Sequence, residues 1–396
     1  MKDEAATPPA RPPSPQPRQT VRDYMNYYCP FTLTIDPMER LLLINLTADP
    51  DEVYVGFEPQ AFDDPANGHG LIVIAYLHDG RVDVYHQPGI LLEGKNYDIV
   101  GKGLRQAVER PMTGARFDIT SSGVALDVAF DDLLGRPIIL RIHETGDKPT
   151  HPFGILAPMG NTAERPPALP LFFLHDFYFV RRARTEVLIS VNGRAHKPDS
   201  IPMILDGARV YFVRYTAAPF LVNWNAASDS TLQLLSADAT PAQPEALQVA
   251  DGPVIHELVL RDGRPALEAM SIANARHRAR ITFDPPFPDV TSLPTAATIA
   301  GTFTVDAGAC GTVVGDYRVE PAAGRVDIVL HPSGGWQPGP VQWGARLIFR
   351  LVPLFRRWPS TYVWRGRVDL SGTQPQLRSS WERLAAAGQG AIKLFG

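Results

Sequence analysis

Apolar and polar residues alternate with a period of two along most of the chain, in short runs closed by Gly, Pro, Asp and Asn, and that is the signature of half-buried β-strands. Leu71 to Leu77 (LIVIAYL) leads through Asp79-Gly80 into Arg81 to His86 (RVDVYH), which predicts two strands joined by a two-residue type I′ turn. The same logic predicts a hairpin turning at Asn192-Gly193 after Thr185 to Val191. It predicts another from Val254 to Arg261 through Asp262-Gly263 into Arg264 to Met270. Further strands are expected at Val124 to Phe130, Pro137 to Glu144, Leu171 to Arg182, Arg209 to Tyr215, Arg276 to Phe283, Trp343 to Leu351 and Tyr362 to Leu370. Only Gln376 to Ala387 carries a helical pattern. With no alternation of strand and helix, the fold class is all-β with little helix, as antiparallel sandwiches or up-and-down barrels.

The chain has 396 residues, enough for two folding units. Its 38 prolines and 32 glycines keep the regular elements short. Residues 1–20, rich in proline and poor in apolar groups, are expected as a disordered tail. A shift to small polar residues and proline at 226–250 reads as a linker, with one β domain at 21–225 and a second at 251–396 that ends in the short helix.

A formal charge of −4 supplies no basic field, so nucleic acid is not an expected partner. No stretch reaches the ~20 apolar residues of a membrane-spanning helix, and the amino terminus has no apolar leader pattern, so a cytoplasmic location is expected. Cys29 and Cys310 lie far apart and outside any CxxC pattern, consistent with buried thiols in a reducing compartment. Glycine-rich phosphate loops, HExxH, GxSxG and zinc-like histidine spacings do not occur, so no cofactor and no metal are expected.

A faint internal echo relates Gly80-Arg81-Val82-Asp83-Val84-Tyr85-His86-Gln87-Pro88-Gly89 to Gly324-Arg325-Val326-Asp327-Ile328-Val329-Leu330-His331-Pro332, one copy on each side of the linker. Two consecutive barrels in a chain of this length resemble the calycin-type, two-domain lipocalin-like proteins of the carotenoid-hydratase and pericyclase kind. That resemblance implies an apolar substrate bound within a barrel or between barrels. It rests on architecture, and no site residue is carried over from it.

Candidate chemistry comes from polar residues on apolar faces. A two-residue turn would pair Val73 with His86 and Ala75 with Val84, placing His86 on an apolar face as a proton donor or ligand-orienting group, or as a histidine bonded to a carbonyl. Leu171 to Arg182 (LFFLHDFYFVRR) is apolar on both faces and carries His175 and Asp176. Asp176 then either pairs with a cation such as Arg182 or has a raised pKa suited to acid catalysis. Tyr178 and Tyr85 are candidates to orient a ligand. Glu144 ends an apolar face just before the long proline-rich segment Thr145 to Pro170, where it either lines a pocket entrance or sits on the surface. Trp343 is a candidate wall residue facing an apolar interior. The Asp262-Gly263 turn would set Glu257 opposite Glu268, which marks a surface pair, an acid/base site or a different register. Arg276, Arg278 and Arg280 read as the solvated face of a strand.

Two functions follow as expectations. One is binding of a hydrophobic small molecule in an apolar barrel or interdomain pocket, with cofactor-independent hydration, isomerisation or cyclisation if it is an enzyme. In that reading Asp176, His175 or His86 handles the proton. The alternative is a non-catalytic interaction module that meets a protein partner through the amino-terminal tail or the Phe355-Trp358 loop.

Overall fold

The computed structural model describes residues 24–91, 93–97, 100–158, 165–238, 246–295, 298–340, 349–350 and 352–384. The structure is 65% strand and 6% helical, so the fold is all-β, and one of its curled antiparallel sheets forms half a barrel. The amino-terminal tail, Trp343 and the segment after Leu384 lie outside the described residues.

The longest sheet runs in the order Leu33–Ile35, Pro219–Trp224, Leu169–Arg181, Ala208–Thr216, Met38–Asn45, Tyr54–Asp64, Gly68–Leu77, Val82–His86 and Leu104–Glu109. Phe153–Ala157 and Ser200–Leu205 pair beside it, and only its last pair is parallel. A five-stranded sheet, Arg194–His196, Thr185–Val191, Pro137–Glu144, Gly123–Asp131 and Thr113–Thr120, covers one of its faces. Val73 and Ala75 therefore point into the core between these two sheets, while Ile72 and Ile74 point into the main core on the other side. Burial on both faces is why Leu71 to Leu77 is apolar throughout.

The last third of the chain forms a ten-stranded antiparallel sheet that ends on Gln376–Arg383 and Ser228–Thr231. Among the described residues, strand pairing across the Trp224/Ser228 boundary is confined to Tyr24–Cys29 with Gln233–Asp238. Packing, in contrast, joins the halves. Phe31 lies 5.2 Å from Phe283, 4.7 Å from Phe287 and 5.9 Å from Trp364, ring centre to ring centre. Trp224 meets Phe303 at 5.0 Å and Trp381 at 5.7 Å, and the Trp381 indole N–H donates to the Trp224 and Asn225 carbonyls.

Several expectations change in detail. The first hairpin is closed by three residues, His78, Asp79 and Gly80, with Gly80 at φ +87° and Leu77 N–H bonded to Arg81 O. The extra residue moves the register by one, so His86 lies opposite Ile72, on the main-core face with Val82 and Val84, and not opposite Val73. The hairpins at Asn192-Gly193 and Asp262-Gly263 do turn in two residues, with positive φ at all four positions. Beyond the second, however, Leu258 faces Leu267 and Glu257 faces Ala269, so Glu268 is the extra residue of a bulge and the two carboxylates never meet. Glu257 instead takes a bidentate Arg280.

Of the expected helix Gln376 to Ala387, Gln376–Arg383 is a strand with Leu377 and Trp381 buried, and residues 385–387 lie outside the described residues. A spacing of four puts two residues on one face under either period, so the pattern alone did not discriminate. The 226–250 segment carries the strands Ser228–Thr231, Gln233–Asp238 and Ala246–Asp251. The stretch around Phe355 packs as a short helix, Leu354–Arg357, and Trp358 is fully buried.

Candidate functional site

His175 and Asp176 sit where the Leu169–Arg181 strand is least regular. On one side Phe153 faces Phe177 and Ile155 faces Leu174, so the single residue Gly154 faces both His175 and Asp176 in a bulge. On the other side the strand changes partners, from Pro219 opposite Leu174 to Tyr215 opposite Tyr178. A bulge breaks the strict alternation of side chains and re-aims them. Gly154 suits the position because a Cβ there would stand 3.3 Å from the Ala309 carbonyl oxygen and 3.4 Å from Cys310 Sγ.

The second half supplies a partner. Asn274 Oδ1 accepts the N–H groups of Arg276 and His277 and so closes a hairpin tip. Arg276 then reaches across to the Ala217 carbonyl at 2.8 Å, anchoring that tip on the first half. As a result the His277 ring lies parallel to the His175 ring with centres 3.7 Å apart. Phe220 flanks both, at 6.3 and 5.9 Å.

The chemistry of this seam is set by what its polar atoms lack. Nε2 of His175 and Nε2 of His277 are buried without a hydrogen-bond partner among the described residues. The Asp176 carboxylate has neither hydrogen bond nor ion pair among the described residues. Arg182, its expected partner, lies over the Tyr211 ring instead. Burial, helped by His277, pushes His175 down to about 4 from 6.5. Burial also lowers His277, while the charge of Asp176 favours its protonated form and Arg276 opposes it. Next to them, burial pushes the Cys310 thiol up to about 12, so it does not act as a nucleophile at neutral pH.

The chain matches no family model, no curated protein and no solved structure. The reading of this seam therefore rests on its own geometry.

Tyr178 lies on the other face of the strand, packed against the core between the long and five-stranded sheets. Burial and the charge of Asp176 raise its pKa, and its ring stacks on Tyr215 at 5.1 Å. The Tyr215 hydroxyl donates to Glu144 at 2.9 Å. Glu144 also accepts the N–H groups of Val124 and Arg181, at 3.1 and 3.0 Å, so it clasps the five-stranded sheet to the long one. Its pKa is raised by burial.

Tyr85 lies fully buried in the core between those two sheets. Its hydroxyl is bonded to that of Tyr54 at 2.8 Å and to Leu133 N–H at 3.3 Å. His86 is five inter-strand steps from the Leu169–Arg181 strand along the sheet, and its Nδ1 lies 3.1 Å from the Gln87 carbonyl. The structure thus joins His175 and Asp176, adds His277, and leaves Tyr178, Tyr85 and His86 elsewhere, Tyr178 packing against the core between the long and five-stranded sheets. His277 was concealed in the sequence by its neighbours, since an Arg-x-Arg-x-Arg run reads as a solvated strand until the Asn274 turn is recognised.

Proposed function

We propose that this protein binds a hydrophobic small molecule at the seam between two β domains, 21–225 and 251–396, in a lipocalin-like arrangement. There it carries out cofactor-independent acid/base chemistry of the hydration, isomerisation or cyclisation type. The observation that carries the reading is the pair of stacked imidazoles, one from each half, whose Nε2 atoms are buried and unpartnered among the described residues beside the Asp176 carboxylate, whose charge acts on His277. Phe220 supplies apolar surface beside them. In this scheme His175 is neutral at physiological pH and accepts a hydrogen bond or proton from the ligand. His277 takes the proton that moves, Asp176 stabilises the imidazolium so formed, and the proton is returned to the product.

The test is the protein purified from its native host and denatured, with the released extract analysed by mass spectrometry. An apolar compound in near-stoichiometric amount, depleted in Asp176→Asn and His277→Ala, is the expected result. No compound, or one retained equally by both variants, would remove the seam as a ligand site.

A further inference from the structure

A cleft of about 330 Å³ opens between the long sheet and Thr113–Thr120, the edge strand of the five-stranded sheet. One wall is a row across the long sheet, in which Arg40 stands opposite Ala61 and Ala61 opposite Leu71. Gln87 continues the row, its N–H bonded to the Leu71 carbonyl at 3.1 Å and its Oε1 accepting the Leu71 N–H at 2.7 Å. Residues directly opposite share a face, and Ala61 and Leu71 belong to the core between the two sheets, so Arg40 and Gln87 stand on that side. Gly70, at φ +139°, makes room for the amide, because a Cβ there would stand 2.8 Å from Gln87 Oε1. The facing wall is a bulge between Thr113 and Arg116 that holds Gly114 at φ +75° and Ala115 at φ +40°. A bulge re-aims the side chains beside it, and a non-glycine residue in the left-handed region is strained backbone of the kind found at binding sites.

The polar groups that line this cleft are unequally satisfied. Asp63 is paired with His69 through Oδ1, and Asp118 with Arg116 through Oδ2 at 2.6 Å, so each carboxylate keeps one oxygen without a hydrogen bond among the described residues. Arg40 has no hydrogen bond and no ion pair among the described residues, and its Nε is buried. The amide nitrogen of Gln87 has no hydrogen bond among them either. A guanidinium with unused donors matches the planar, two-oxygen geometry of a carboxylate. A carboxylate oxygen that lacks a donor accepts a hydroxyl.

We propose that this cleft is a second binding site and takes a polyhydroxylated monocarboxylic acid of the uronic or aldonic acid class. Arg40 receives the carboxylate, and the Gln87 amide nitrogen donates to an oxygen beside it. The free oxygens of Asp63 and Asp118 accept hydroxyl groups of the sugar. Because both carboxylates of the cleft are already paired, Arg40 is its uncompensated charge, and one negative charge on the ligand balances it. A neutral sugar would leave Arg40 unpaired, and an apolar acid would leave the two carboxylate oxygens unpaired. The inference is independent of the seam, since none of these residues belongs to it.

The experiment is isothermal titration calorimetry of the whole chain with D-glucuronate and D-gluconate, and separately with D-glucose and acetate. Saturable binding of at least one sugar acid, at least tenfold tighter than of glucose or acetate, is expected. A loss of tenfold or more is expected in Arg40→Met, with a smaller loss in Asp63→Asn and no change in Asp176→Asn. Arg40 has no hydrogen bond or ion pair to lose among the described residues, so its variant is expected to keep the fold. Absence of saturable binding of both acids by the unaltered protein would overturn the proposal without any variant having to fold. Equally tight binding of glucose or of acetate would do the same, as would a well-folded Arg40→Met that binds as before. A loss in Asp176→Asn with none in Arg40→Met would assign the acid to the seam and also overturn it.

Discussion

Two polar groups in this molecule use similar side chains and end in opposite conditions. Between the long and five-stranded sheets, Tyr54 and Tyr85 share a hydrogen bond, Tyr54 also donates to Asp132, and Arg136 bonds Asp132 at 2.8 Å and Asp51 at 3.2 Å. Asp132 further accepts the Leu134 and Arg136 N–H groups. At the seam, His175 and Asp176 lie at a bulge against His277, and Nε2 of each imidazole has no hydrogen-bond partner among the described residues. Polar groups committed to one another hold a fold, whereas polar groups placed at an irregularity and left without partners remain available to a ligand.

This contrast is sharpest in stability. Asp132→Ala leaves Arg136 Nε and two backbone N–H groups without their acceptor and is expected to cost about 3–5 kcal/mol in denaturant unfolding. Trp381→Ala removes the indole that bonds Trp224 O and packs on its ring, with an expected loss of about 3–5 kcal/mol by the same measurement. Glu144→Ala, which unclasps the two sheets, is expected to cost about 2–3 kcal/mol. Asp176→Asn is expected to change stability by no more than about 0.5 kcal/mol, as for a side chain with no hydrogen bond or ion pair to lose among the described residues. A destabilisation of Asp176→Asn as large as that of Asp132→Ala would erase the distinction between the regions.

A further expected effect is one of pH. His175 has a folded pKa of about 4 against 6.5 in the unfolded chain, so the unfolded state binds the proton first as pH falls. The stability this group contributes is present above pH 6.5 and lost progressively between about 6.5 and 4. His175→Ala is therefore expected to flatten the stability profile across that window relative to the unaltered protein. An unchanged slope would mean that His175 is not desolvated.

Much of the fold was legible because hairpin turns and alternation are local. Thr185–Val191 and Val254–Arg261 occupy the expected residues, with Asn192-Gly193 and Asp262-Gly263 turning as type I′ chemistry requires. What was lost turned on single residues. One extra turn residue at Gly80 moved His86 to the other face, and one bulged residue at Glu268 separated it from Glu257. The seam was half legible. An apolar strand carrying His175 and Asp176 stood out, but His277 joins them only through a contact between distant segments that no local pattern encodes.

The most direct test of the seam is long-range proton–nitrogen NMR of the histidine rings across pH, with and without the extract released from the native protein. The account predicts that His175 stays neutral to near pH 4, that His277 also titrates below 6.5, and that the Nε2 signals of both move when the extract is added. Two rings titrating independently near 6.5 and unmoved by the extract would contradict it.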